Sequence, residues 1–402
     1  MNRAYNKVID INSFFLFLIH FSLILSCFEF YSLYKIHYIS FVIVFIFIVI
    51  TFSPDVKKES LYLGGCIFVF NLLSQFSSVY NINIFNISWF IQISLLSLFI
   101  IFLPTSIQKV NFETHKLFCK YTLFILSFIM LFVSMYTLLL IGVDNIFDQA
   151  SSYTRLSVIT NQFGLFKFII PLISLTFYLI SYEYLTRNAK VFCILSFTIF
   201  MLVVLVKTII ISLIVIFIIF LISKIKYRLL KRLTLLVFLL FFSLIFIIYF
   251  DVISLLGVIN GRYILPIITS LDFLDYPFGF GFGNYSDVMD LMLINLNYSG
   301  EYNSDLVRFL GLKHGQAFNT SESDILQFGI SFGFIFLIIY FLYIIHLVFR
   351  IVDNNMINLP LLACLSILTS GFYQDYSQNI MCWILFSYLL GLSLYNEDSK
   401  RE

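Results

Sequence analysis

Apolar runs of 15 to 24 residues alternate with short polar joints along the chain, and the alternation is broken at length only over residues 251–325. A bilayer core takes about 20 mostly apolar residues per helix, with a range of roughly 17 to 25. Such runs lie at 12–30, 39–53, 61–80, 86–104, 119–142, 164–183, 191–206, 208–223, 233–250, 326–349, 358–373 and 379–396. They predict an all-α polytopic membrane protein of about 12 transmembrane helices. The runs 191–206 and 208–223 meet at Lys207. Joined, they would span about 33 residues, far too long for one crossing, so a tight turn is predicted at Lys207.

The interruption opens DVISLLGVINGRY, closes HGQAFNTSESD, and holds nine of the chain's 22 acidic residues. The second-longest joint on the same side covers 143–163 and carries Arg155. A protein with one elaborate loop on one face of a membrane uses it on something presented at that face. The loop is therefore the first place to look for chemistry.

Composition sharpens the class. The chain is 61% hydrophobic and 11% charged, with 51 Phe, against about 25% charged residues in soluble domains. The net charge of +2 is spread through short joints, so no nucleic-acid face is expected. Of the six cysteines none lies in the long loop, which argues against a disulfide framework. Arg3 and Lys7 precede the first apolar run and no small-residue cleavage site follows it, so it reads as an uncleaved span. Residues 1–402 form one integral membrane domain, with no internal repeat.

Cytoplasmic joints are enriched in Lys and Arg. With the N-terminus inside, 17 of the 24 cations fall on inner segments and seven on outer ones, and KIKYRLLKR at 224–232 is the densest cluster. Both termini are then cytoplasmic and 251–325 is outside.

The outer cations are exceptions that invite a reason. Arg155, Lys207 and Arg262 lie near predicted membrane boundaries, and Arg308, Lys313 and His314 lie later in the long loop. The guanidinium fork suits phosphate and pyrophosphate oxygens, so Arg155, Arg262 and Lys207 are candidates to bind a lipid-linked pyrophosphate. The plain alternative is loop charges paired to acids such as Asp148 or Asp305. Deep in the spans, His20 is the one ionisable group expected, as a hydrogen-bonded packing histidine. A proton-coupled transporter would carry more.

Two stretches of the loop stand out. DYPFGFGFGNYSD at 275–287 interleaves Gly279, Gly281 and Gly283 with Phe after Pro277. No strand precedes it and no phosphate-loop Lys follows. The glycines are expected to bring the backbone close to the membrane or a lipid carrier, with the Phe rings in the interface. KHGQAFNTSESDILQFGISFG at 313–333 leads into the next span. Ser321 with Asp324, or Asn319 with Glu322, has capping-box spacing, and Gly329 with Gly333 has the G-x-x-x-G spacing of close helix packing. His314, Glu322 and Asp324 are candidate general bases for deprotonating an acceptor hydroxyl, with Asn319 a substrate-binding candidate. Asp272/Asp275 and Asp287/Asp290 could ligate a metal, but carboxylates three apart are common, and neither metal nor cofactor is expected.

On these features the chain resembles the O-antigen and capsular polysaccharide polymerases (Wzy-type), related to the O-antigen ligases. The likeness covers most of the length in its spans and its two outer loops. Locally it rests on Gly261, Arg262, Pro277, Gly279 and Gly281, then on His314, Asn319, Glu322, Gly329 and Gly333. Phe318 stands where ligase-like members carry a His paired with the following Asn. Phe166 and Phe273 stand where some polymerases carry Gly eleven residues after an Arg. The resemblance implies a GT-C-like, metal-independent glycosyltransferase in a bacterial cytoplasmic membrane. It would transfer a growing glycan from undecaprenyl pyrophosphate onto a new lipid-linked repeat unit. A chain-length regulator and a flippase of the same pathway would be its partners, with membrane lipids around it. The alternatives are an O-antigen ligase, a lipid-linked oligosaccharide flippase with polar residues along several helix faces, or a scaffold without catalysis.

Overall fold

The computed structural model describes residues 11–26, 36–53, 55–75, 87–142, 170–204, 207–227, 229–238, 277–281, 324–353, 358–370 and 380–398. Among the described residues the regular structure is entirely helical. In chain order the helices are α1 (Ile11–Ser26), α2 (Ile36–Ile50), α3 (Lys58–Ser74), α4 (Ile87–Gln108), α5 (Phe112–Ile141), α6 (Ile170–Ser181), α7 (Arg187–Val204), α8 (Lys207–Ser223), α9 (Asp324–Asp353), α10 (Leu359–Ser370) and α11 (Ile380–Asp398). Residues 229–238 are also helical. Among the described residues three stretches are long and apolar enough to cross a membrane: Ile87–Gln108, Phe112–Leu140 and Ser331–Val352. Shorter apolar stretches include Ile11–Ile24, Ile214–Ser223, Leu359–Leu368 and Cys382–Leu394. The described chain is a helical membrane protein. Five of its cysteines, Cys66, Cys119, Cys193, Cys364 and Cys382, are free thiols.

The helices fall on the apolar runs, with instructive differences at their ends. α4 continues through Pro104 to Gln108. α5 begins at Phe112, seven residues before the apolar run. Asn111 sets that start, its side chain accepting from the Glu113 N–H at 3.0 Å. An Asn cap and a carboxylate in the first turn both favour a helix N-terminus. α7 ends at Val204 and α8 opens at Lys207; residues 205 and 206, on which the predicted turn depends, lie outside the described residues.

α11 is the centre of the bundle. Every residue from Cys382 to Leu394 is buried, as a helix that is hydrophobic all round requires. It packs mainly on α4 and α10, with α1 and α2 behind. Lipid gives no hydrophobic drive between helices, so close backbone approach through small residues matters more. At Gly391 a Cβ would lie 2.9 Å from the Pro104 carbonyl of α4, and at Gly64 of α3 it would lie 2.7 Å from the Ser97 carbonyl of α4. Outward, Leu139, Phe128 and Phe132 are among many large apolar side chains left exposed, a face that only lipid covers comfortably.

At one end the polar joints are tied to one another. Arg350 pairs with Glu59 at 2.8 Å. Lys231, itself buried, donates to the Val352 carbonyl at 3.2 Å. Lys109 donates to the Phe52 carbonyl at 3.2 Å and Thr105 to that of Asp55 at 3.4 Å. Lys116 pairs with Glu113 and, across the joint, with Glu183. Asn358 caps α10 through the Leu361 N–H and donates to the Ser393 carbonyl of α11 at 3.0 Å. The joints around 52–59, 105–116, 183, 231 and 350–358 thus share one end of the bundle.

Neighbouring glycines test the packing. Gly64→Ala should cost about 1–3 kcal/mol, because something must shift around the new methyl. Gly65 has open space where its Cβ would stand, so Gly65→Ala should be neutral or gain up to about 1 kcal/mol of helix propensity. Thermal unfolding of both variants in detergent checks this; equal midpoints would contradict the α3–α4 contact.

Candidate functional site

α9 is broken. Gly333 has φ 79 and ψ 177 in the middle of the helix, a left-handed φ that glycine adopts without strain. The two halves bend toward each other there. Phe328 and Tyr340 have ring centroids 5.4 Å apart, although residues 12 apart in a straight helix are separated by about 18 Å. Phe332 and Phe336 meet across the break at 4.9 Å, Phe328 and Phe336 at 5.4 Å. Trp383 of α11 closes on Phe328 at 5.9 Å and Phe70 of α3 on Phe336 at 5.5 Å. An aromatic ladder therefore fills the inside of the elbow.

A break removes helical hydrogen bonds, and in hydrocarbon each backbone group left without a partner costs several kcal/mol. The long loop supplies a partner. Residues 277–281 lie on the elbow, and the Gly281 N–H donates to the Ser331 carbonyl at 2.9 Å. A Cβ on Gly279 would sit 2.5 Å from the Phe332 nitrogen, and one on Gly333 would strike the Pro277 carbonyl. Gly279 and Gly281 have φ 68 and 86. Two glycine-bearing backbones are thus pressed together at a distance that no side chain permits.

This corrects two expectations. Gly333 was expected to serve a G-x-x-x-G helix contact, but it makes the elbow and receives the loop instead. The rings of 278 and 280 were expected in the membrane interface. Phe280 is buried, which overturns the expectation for that ring, while Phe278 touches Phe70 at 6.3 Å and stays 38% exposed.

Gly333 stands 17 residues from Arg350, about 25 Å along a helix, so the elbow is at the other end of the bundle from the Arg350–Glu59 pair. Asp324 is the first residue of α9, about 13 Å along the shorter half from the break. Lys207 is the first residue of α8. The side chains of Asp324 and Lys207 are not described. Arg155, Arg262, His314, Asn319 and Glu322 lie outside the described residues, as do Gly261 and Ser321. Of the sequence motifs, the structure brings together the Pro277–Gly281 run and the Gly333 region. The shared Phe-Gly pattern of PFGFG and FGISFG is the signal in the sequence that could have paired them.

A second polar cluster lies inside the bundle. The His115 Nε2–H donates to the Ile107 carbonyl at 3.0 Å, which can only accept. Nδ1 of the neutral ring therefore accepts, from the Tyr388 hydroxyl at 3.2 Å. The Tyr388 oxygen accepts from His20 Nε2–H at 3.0 Å, and His20 Nδ1 accepts from the Thr122 hydroxyl at 2.7 Å. One carbonyl fixes the direction of the whole chain and both tautomers. The groups sit on α1, α5 and α11, all buried, with Cys119 Sγ 3.7 Å from the Tyr388 oxygen. His20 is the buried histidine expected from the sequence, whereas His115 precedes the apolar run 119–142 and enters the bundle because α5 starts at Phe112.

Gly333→Ala should release the loop, since the variant combines an unfavourable φ with a collision against Pro277. A cysteine at 280 should be protected from a membrane-impermeant maleimide in the parent and labelled quickly in the Gly333→Ala background. Equal labelling would mean that the segment is not docked. In the core, Tyr388→Phe leaves a His20 donor and a His115 acceptor unmet, each costing about 1–3 kcal/mol. A melting temperature unchanged from the parent would contradict the relay. No protein-family model, curated protein or solved structure matches the chain.

Proposed function

We propose that the chain is a polysaccharide polymerase, a multi-pass glycosyltransferase of a bacterial cytoplasmic membrane with about 12 spans, cytoplasmic termini and residues 251–325 outside. The observation that carries this reading is the docking of Pro277–Gly281 on the α9 elbow, at the end away from the cation-bearing joints. Arg262 is 15 residues before Pro277, within about 50 Å of extended chain, and Asp324 is on the same helix as the elbow.

In this reading Arg155 and Arg262, with Lys207 and Asn319, hold the pyrophosphate and glycan of an undecaprenyl-pyrophosphate-linked oligosaccharide. One of Glu322, His314 and Asp324 takes the proton of the acceptor hydroxyl as its oxygen bonds to the anomeric carbon. The bond from that carbon to the pyrophosphate oxygen breaks, and the arginines stabilise the charge that develops there. Electrostatic stabilisation of that kind is often the largest catalytic contribution. Pyrophosphate leaves readily, so neither general acid nor metal is required. A chain-length regulator and a flippase would act beside it.

One observation favours a transporter instead. Broken helices line the substrate sites of many carriers, where unwound backbone faces the cargo. Here the elbow is filled by the chain's own loop and by rings, and the two buried histidines, His20 and His115, are tied up with Thr122 and Tyr388. The polymerase reading is therefore preferred to a flippase, and Phe318 in place of His disfavours a ligase.

Orientation and chemistry have separate tests. A phosphatase reporter fused near Asn297 should be active and one near Lys226 inactive; the opposite pattern removes the outer site altogether. Purified protein given only lipid-linked repeat units should form a polymer ladder without nucleotide sugar, metal or ATP. Arg262→Ala or Arg155→Ala should lower the rate by about 10²–10³, and Lys should rescue poorly because it lacks the fork. Glu322→Gln should abolish activity at normal protein levels if Glu322 is the base. In cells, deletion should leave single repeat units. Long lipid-linked polymer after deletion would indicate a ligase, and units stranded on the cytoplasmic face a flippase.

A further inference from the structure

The joint that follows α8 carries Lys224, Lys226, Arg228, Lys231 and Arg232, and no carboxylate stands in the chain between Glu183 and Asp251. The cations have different placements. Lys231 is buried and holds the Val352 carbonyl, which pins the joint to the inner end of α9. Lys224 and Lys226 remain exposed, Lys224 Nζ lying 5.5 Å over the Phe220 ring. Tyr227 between the strands of charge is 69% exposed.

The neighbouring surface is apolar. Phe217 and Leu221 on α8, and Leu229 and Leu233 on the helical segment 229–238, are each at least half exposed. Two accessible ammonium groups thus sit on the rim of an exposed hydrocarbon face, beside an aromatic hydroxyl suited to the interface. The pattern matches the two parts of a phospholipid, with its charged headgroup at the joint and its acyl chains along the leucines. Zwitterionic lipid would cover the leucines equally well but would leave the local positive charge uncompensated.

We infer that the 224–233 joint binds anionic glycerophospholipid, with Lys224 and Lys226 on the headgroup and Phe217, Leu221, Leu229 and Leu233 along the acyl chains. Lys231 acts by position, holding the joint against α9. The inference needs only the charge and exposure of this surface and does not depend on the chemistry proposed for the outer loop.

The test uses the full chain in nanodiscs of phosphatidylcholine with phosphatidylglycerol, followed by native mass spectrometry of the lipids retained. The parent should keep phosphatidylglycerol over phosphatidylcholine. Each juxtamembrane cation contributes about fivefold, so K224Q/K226Q should lower that preference roughly 20–30-fold, while K224R/K226R should keep it. Raising the salt should weaken the parent's preference, because exposed charges are screened, and this arm decides the matter should the double variant fold poorly. Equal retention of both lipids by the parent, or a preference indifferent to salt and to K224Q/K226Q, would overturn the assignment. Retention of an acidic soluble protein in place of lipid would also overturn it.

Discussion

Backbone hydrogen bonding in a medium without water is the constraint on which the rest of the arrangement depends. Gly333 interrupts α9, and the interruption frees carbonyls that hydrocarbon cannot satisfy. The Gly281 N–H answers one of them at Ser331. The loop segment is therefore part of the membrane structure as well as part of the loop. Its glycines are required by contact, since a Cβ at either Gly279 or Gly333 would occupy backbone of the other segment. The aromatic rings then seal the elbow from both sides.

The same accounting explains the interior relay. Two histidines, a tyrosine and a threonine inside a helical bundle would be costly if any donor or acceptor went unmet. They are arranged so that every link has one donor and one acceptor, ending on the Ile107 carbonyl. That chain joins α1, α5 and α11 where apolar contact alone specifies little, because lipid is as apolar as the side chains. Glycine contacts at Gly64 and Gly391 set the spacing of the helices. The polar relay fixes the rotation of α11 among them.

The sequence carried the positions of the helices well, because each needs an apolar run whatever its partners. It was weaker where a partner decides the outcome. α5 starts at Phe112 because Asn111 caps it, and the charges of Glu113 and Lys116 ahead of the apolar run 119–142 concealed that start. The elbow was hidden for a related reason: FGISFG satisfies the spacing for helix packing, and nothing local in it marks Gly333 as the residue against which Pro277–Gly281 docks. His115 followed from the same missed start. The loop's chemistry was legible only as residue types. Arginines, carboxylates and a histidine define what could be bound and deprotonated, while their mutual distances are a property of the folded loop.

The break gives the two ends of α9 different mechanical roles. The longer half is fixed by Glu59 on Arg350, by Lys231 on Val352 and by packing on α3, α8 and α10. The shorter half, Asp324 to Phe332, is held among the described residues by rings and by the docked backbone of Gly279 and Gly281. A continuous helix would transmit any force on Asp324 directly to the cation-bearing end. At the elbow the shorter half meets the longer one through the Phe328, Phe332, Phe336 and Tyr340 rings and meets α11 through Trp383. Loop and short half are joined by the Gly281–Ser331 bond. On the polymerase reading proposed above, the site would be built on the loop and the short half together, at the end of the bundle opposite the joints tied by Arg350 and Lys231.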